Sequence, residues 1–159
     1  MRRTPVGRLL LVALVAAVVA AVVLRGAESR GATLLPTPVV AWVVILAIAA
    51  VVAGLGWNVR QYTAGKRAEL DMIVAARTVV LATASTYTGA LLTGWYAAQV
   101  LVVAGDLDLP ARRDVAVTAG VAALAALVLA VVGLVVERWC EVQPPDDDEG
   151  ASAASGTAA

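Results

Sequence analysis

Histidine and phenylalanine are absent from this chain, and lysine and cysteine occur once each, at Lys66 and Cys140. Without histidine there is no His-based metal site, no Ser-His or Cys-His pair, and no side chain that ordinarily titrates near neutral pH. A single cysteine cannot form an intrachain disulfide. With no imidazole to activate it, Cys140 reads as an inert thiol. The long apolar runs hold no acidic residue, which argues against proton-coupled transport and intramembrane aspartyl proteolysis, because both need buried carboxylates. An excess of charge is missing as well. Twelve basic and twelve acidic residues cancel, so nothing points to nucleic acid. Neither Gly54-Leu55-Gly56 nor the Gly89 to Gly94 segment matches a phosphate-cradling loop.

What the chain has in abundance is apolar surface. Hydrophobic residues fill 61% of its 159 positions, and mean hydropathy is +0.87. Soluble domains are about 45–50% apolar, so the excess requires a bilayer. Four uncharged stretches predict an all-α, polytopic membrane protein with four transmembrane helices, over about 7–25, 38–59, 77–104 and 115–137. The first is short, about 24 Å between Leu9 and Leu24 at ~1.5 Å per residue. Arg8 and Arg25 flank it and can snorkel outward. A cleaved signal peptide is the alternative, but Arg25-Gly26-Ala27 is a poor small-residue site. Ala13, Ala17 and Ala21 form a small ladder on this segment. Pro36 and Pro38 open the second stretch, with Trp42 and Trp57 near its ends as interfacial belts. Residues 25–37, 60–71 and 105–114 read as connections. Gly120, Ala123, Ala126, Ala130 and Gly133 make a small stripe on the last helix. The acidic, then Ala/Ser-rich segment 143–159 reads as a disordered tail; its run Asp146 to Glu149 is solvated rather than chelating.

The third stretch organises the rest. From Thr78 to Ala104 no residue is charged. That is about 40 Å of helix against a hydrocarbon core of about 30 Å. Two rows at i, i+4 spacing, Ala82-Thr86-Ala90-Gly94-Ala98 and Ser85-Gly89-Thr93-Ala97, lie side by side and form one face of small and hydroxylated side chains. Lipid tails are as apolar as leucine, so close backbone approach over small residues supplies the cohesion between membrane helices. Ser85, Thr86, Gly89, Ala90, Thr93 and Gly94 are therefore the candidate helix-packing face. The competing reading is a ligand-lining groove. Ser85, Thr86 and Thr88 can bond back to their own helix or across to a neighbour. Arg77 at the start of the stretch is a candidate anionic-lipid anchor, and the Trp95-Tyr96 pair is expected at the opposite surface. Asp106, Asp108 and Asp114 read as loop solubilisers.

Eight cations (Arg2, Arg3, Arg8, Arg60, Lys66, Arg67, Arg77 and Arg138) fall on one side of this topology. Four (Arg25, Arg30, Arg112 and Arg113) fall on the other. The bias places both termini in the cytoplasm. The Ala- and Val-rich, Arg-over-Lys composition fits a GC-rich bacterial genome, and hence a bacterial inner membrane. No residue set specifies a reaction, a metal or a cofactor. The expected partners are the lipid bilayer and another membrane protein or further copies of the chain. The expected role is a non-enzymatic structural or accessory subunit packing through small-residue faces. The alternative is a small-molecule or lipid carrier lined by the third helix.

Ala76-Arg77, Ala82-Thr83-Ala84-Ser85, Gly89-Ala90 and Gly94-Trp95-Tyr96 resemble the core pattern of the DUF3180 family, small actinobacterial membrane proteins of unknown function. The resemblance extends to the four-span layout and to the Arg112 to Asp114 entry of the last span. It implies the fold and no activity. A lysine is common in that family where Thr83 stands, so this chain lacks an intramembrane cation there. The resemblance also implies a genomic context near folate biosynthesis, which assigns no chemistry.

Overall fold

The computed structural model describes residues 6–32, 35–63, 72–106 and 108–139. The segments 143–159 and 64–71, with Lys66 and Arg67, lie outside the described residues, as do Arg2, Arg3 and Cys140. The described chain consists of α1 (Val6–Glu28), α2 (Val39–Thr63), α3 (Met72–Val103) and α4 (Pro110–Trp139), with one 3-10 turn at Ala104–Asp106 between α3 and α4. Each helix is long and apolar enough to cross a membrane. None is strongly amphipathic in sequence, as expected where lipid surrounds the bundle and both faces of each helix are apolar.

The helices run further than their uncharged cores, because the flanking polar residues are good caps. α1 continues past Arg25 to Glu28 and is closed by Gly31. That residue takes φ +83°, with Gly31 N donating to Glu28 O at 2.9 Å and Ala32 N to Ala27 O at 3.1 Å. Only glycine adopts this left-handed cap without strain. Residues 25–28 are thus helix, not connection. α2 likewise extends through residues 60–63. α4 starts inside the segment that reads as a loop. Pro110 takes the first helical position, where its missing N–H is not needed, while Arg112 N and Arg113 N both donate to Leu109 O at 3.0 Å.

The packing order differs from the chain order. α3 packs along α4 and along α1, and α4 also packs along α2, which reaches α3 more weakly. α1 makes no comparable contact with α2 or α4 among the described residues. Register follows from paired residues. On α3 and α4, which run antiparallel, Gly89 lies against Ala126 and Ala130, and Gly133 against Ala82 and Thr86. α1 runs parallel to α3, with Gly94 against Ala13, Ala16 and Ala17 and Ala20 and Leu24 clustered with Ala98. α2 runs parallel to α4. Ile45 and Ala49 meet Ala125 and Leu129, and Val52 and Val136 meet Ala82 of α3.

The buried interior is small-residue rich: Ala82, Ala98, Ala119, Ala122 and Ala126 are fully enclosed, with Leu129, Val52, Val103 and Val136 as the larger plugs. A Cβ added at Gly120 would meet nothing within 4 Å, and Ala123 is only half-buried. The working seam of α4 therefore uses Ala126, Ala130 and Gly133 of the expected stripe, together with Val115, Ala119 and Ala122.

Candidate functional site

α3 has neighbours on three sides. Its small face is where they come closest, because side chains no larger than Thr let helix axes approach. Ser85, Thr86, Gly89, Ala90 and Gly94 are buried, and Thr93 is half-buried. A Cβ on Gly89 would lie 2.6 Å from Ala130 N and 2.8 Å from Ala126 O, so backbone meets backbone there. Gly133 of α4 returns the approach. Its added Cβ would strike Thr86 Oγ1 and lie 2.8 Å from Ala82 O. Gly94 serves the other neighbour, with a Cβ colliding with Ala13 O and lying 2.9 Å from the Ala16 methyl. The face therefore divides along its length: Ala82, Thr86 and Gly89 meet α4, while Gly94 and Ala98, further on, meet α1.

The hydroxyls on this face are bonded within their own helix. Thr83 Oγ1 donates to Val79 O at 3.0 Å, Ser85 Oγ to Leu81 O at 2.8 Å, Thr86 Oγ1 to Ala82 O at 3.0 Å and Thr93 Oγ1 to Gly89 O at 2.7 Å. Each bond reaches back one turn and satisfies the hydroxyl where no water is present to do so. Thr88 is exposed on the outer flank, away from this face.

Both ends of the bundle carry polar clusters that a linear reading does not bring together. At the loop end beyond α3, Arg112 pairs with Asp106 at 3.0 Å and with Glu28 at 3.3 Å. One guanidinium thus joins α1, the 3-10 turn and α4. Asp106 is part of this bridge rather than a free loop solubiliser. Just below it, Thr37 N donates to Thr118 Oγ1 at 3.2 Å, and the Thr37 hydroxyl donates to Gln99 Oε1 at 3.5 Å. These three residues link the entrance of α2 to α3 and α4. Gln99, the one amide inside the third span, is the sequence signal that could have revealed this cluster.

At the opposite end, Trp57 and Trp139 pack edge to face, with centroids 6.0 Å apart at 69°. The Arg60 guanidinium lies over both rings, 5.5 Å from Trp57 and 4.9 Å from Trp139. Arg77 is exposed at this end. The Trp95-Tyr96 pair stands short of the loop end of α3. It lies about 16 Å along the helix from Asp106, where Tyr96 and Trp42 pack against the Ile45–Leu129 cluster and Trp95 is 40% exposed beside them. Among the described residues, no group of three or more His, Cys, Asp or Glu side chains could hold a metal ion.

Four apolar helices joined through small-residue seams, with charge confined to their ends, define an all-helical, multi-pass membrane protein. The sequence model of the family described as Protein of unknown function (DUF3180) matches residues 9–144, and the chain belongs to that family. No curated protein and no solved structure matches the chain.

Proposed function

We propose that this protein is a non-enzymatic structural or accessory subunit of the bacterial inner membrane, with both termini in the cytoplasm. The observation that carries the reading is how the α3 face is used. Its small residues are spent on α1 and α4, and its buried hydroxyls on the helix backbone. A face consumed in this way serves cohesion rather than substrate. Partners, whether a second membrane protein or further copies, then meet the outward faces of α1, α2 and α4, which are lined by exposed Val, Leu and Ile. The cation bias around the spans supports the topology, and a reporter fused after Ala159 is expected to be active only in the cytoplasm.

The Thr37–Gln99–Thr118 cluster favours the second reading, a small-molecule or lipid carrier, since polar groups inside a membrane domain often mark a route. Affinity purification of the tagged full chain from its native membrane in a mild detergent, followed by mass spectrometry of retained proteins and small molecules, separates the two. The structural reading expects a stoichiometric second protein or a homo-oligomer. A lone chain carrying one defined metabolite overturns it.

A further inference from the structure

We infer that a second copy of this chain docks in the furrow between α1 and α2, setting the open side of α3 against its own equivalent across a two-fold axis normal to the membrane. Such a pair gives the structural-subunit reading, on which it rests, a definite partner.

The furrow follows from the faces of α3. That helix meets α1 through Gly94 and Ala98 and the α2–α4 cluster through Leu92 and Tyr96. At about 100° per residue, Leu91 and Trp95 fall between those two sides, on one strip with Ala84 and Thr88. From Ala84 to Trp95 these four residues are exposed and no others are. α1 and α2 flank the strip and share no comparable contact among the described residues. The strip runs alongside the described turns of α1. Gly94 stands against Ala13 to Ala17, which sets Ala84 level with the start of that helix.

Polarity identifies the occupant. Thr83, Ser85, Thr86 and Thr93 all bond back one turn. Among the described residues, the Thr88 hydroxyl and the Trp95 indole N–H make no hydrogen bond, and Gln99, one turn beyond Trp95, uses only its Oε1, toward Thr37. Measured from the midpoint of Arg77 and Asp106, Thr88 and Trp95 lie about 5 Å either side of the bilayer centre and Gln99 about 11 Å from it, all inside a core of about 30 Å. Alkyl chains offer such groups no partner. Copies of one chain share one orientation in the membrane, so a two-fold partner brings its α3 parallel and level, and each strip residue faces itself. Hydroxyl and amide both donate and accept, so Thr88 and Gln99 can pair with their own equivalents. Ala84 and Thr88 are small enough to let the two helices approach. The same rotation brings α1 of one copy opposite α2 of the other. A face three helices wide and about 30 Å tall is on the order of 900 Å² per copy, against roughly 800 Å² in a standard interface.

The test is disulfide trapping of the full chain in native membranes, in a Cys140→Ser background. Ala84→Cys and Thr88→Cys should each give a cross-linked dimer at least about fivefold more efficiently than Leu124→Cys, because only residues near the axis meet their equivalents at disulfide distance. Leu124 is the control for random collision, being 64% exposed on α4. Thr88→Val keeps the side-chain volume and removes the hydroxyl. It should weaken dimerisation about threefold or more, read by energy transfer between labelled copies in liposomes. Trapping at Thr88→Cys no better than at Leu124→Cys overturns the inference, as does a dimer that Thr88→Val leaves unchanged. A stoichiometric second protein without trapping at 84 or 88 also overturns it, while leaving the subunit reading in place. A lone chain carrying one defined metabolite overturns both.

Discussion

Gly89→Ala is the smallest change that probes the α3–α4 seam. The added methyl carbon would lie 2.6 Å from Ala130 N and 2.8 Å from Ala126 O, whereas ordinary contact begins near 3.4 Å. The obstacles are backbone atoms of a helix, so no side-chain rotation relieves them. α4 must retreat by about 0.6–0.8 Å locally, and a gap of that size forfeits roughly a quarter to a half of each dispersion contact along the seam. Overpacking of this kind costs about 1–3 kcal/mol. Gly54→Ala is the matched control, because nothing lies within 4 Å of its added carbon. Both variants gain the same helix propensity, so their difference isolates packing. Unfolding of the purified chain by SDS in mixed micelles, followed through tryptophan fluorescence, measures it. Gly89→Ala should unfold at clearly lower SDS fraction than Gly54→Ala. If the two unfold together, helix contact at Gly89 is not as close as described, and the seam argument fails.

Thr86→Val should change stability by less than about 1 kcal/mol in the same assay, because the lost hydroxyl bond is a local back-bond to Ala82 O; Thr86→Leu, pushed against Gly133, should cost about 2 kcal/mol or more. Arg112→Gln removes pairs to Asp106 and Glu28 that are partly exposed. It should cost about 1 kcal/mol or less, and the difference should shrink at 1 M salt, where the screening length falls to about 3 Å. Trp139→Leu removes one face of the Arg60 stack and the edge contact to Trp57. A loss of about 1–2 kcal/mol is expected, with a double-mutant cycle against Arg60→Lys showing positive coupling.

The four spans are legible in the sequence because hydrocarbon demands uncharged length, and charges at Arg8, Arg25, Arg60, Arg77, Arg112 and Glu137 bracket each one. Helix ends are less so: Gly31, Leu109 and Pro110 form caps whose geometry extends helices into residues that look like loop. The contents of the α3 face are readable at i, i+4 spacing, but not which neighbour takes which part of it. Ala13/Ala17/Ala21 on α1, Ala49/Gly56 on α2 and Ala126/Ala130/Gly133 on α4 are all small enough to receive it, and lipid imposes no strong preference among them. The division before Gly94, the Ala82–Gly89 part to α4 and the Gly94–Ala98 part to α1, emerges only when loop lengths and ion pairs fix the register. Gln99 and Arg112 escape a linear reading for the same reason. Each is an ordinary polar residue in sequence with a partner remote along the chain, Thr37 for Gln99 and Glu28 for Arg112.

The central claim is that the hydroxylated face of α3 is sealed between helices and lines no water-filled route. Cysteine accessibility tests it most directly. In a Cys140→Ser background, single cysteines at Ser85, Thr86 and Thr93 are treated in native membranes with a membrane-impermeant maleimide applied from each side, with Asp108→Cys in the exposed loop as the positive control. The account predicts labelling at residue 108 alone. Labelling at 85, 86 or 93 from either side would contradict it and put an aqueous path along α3.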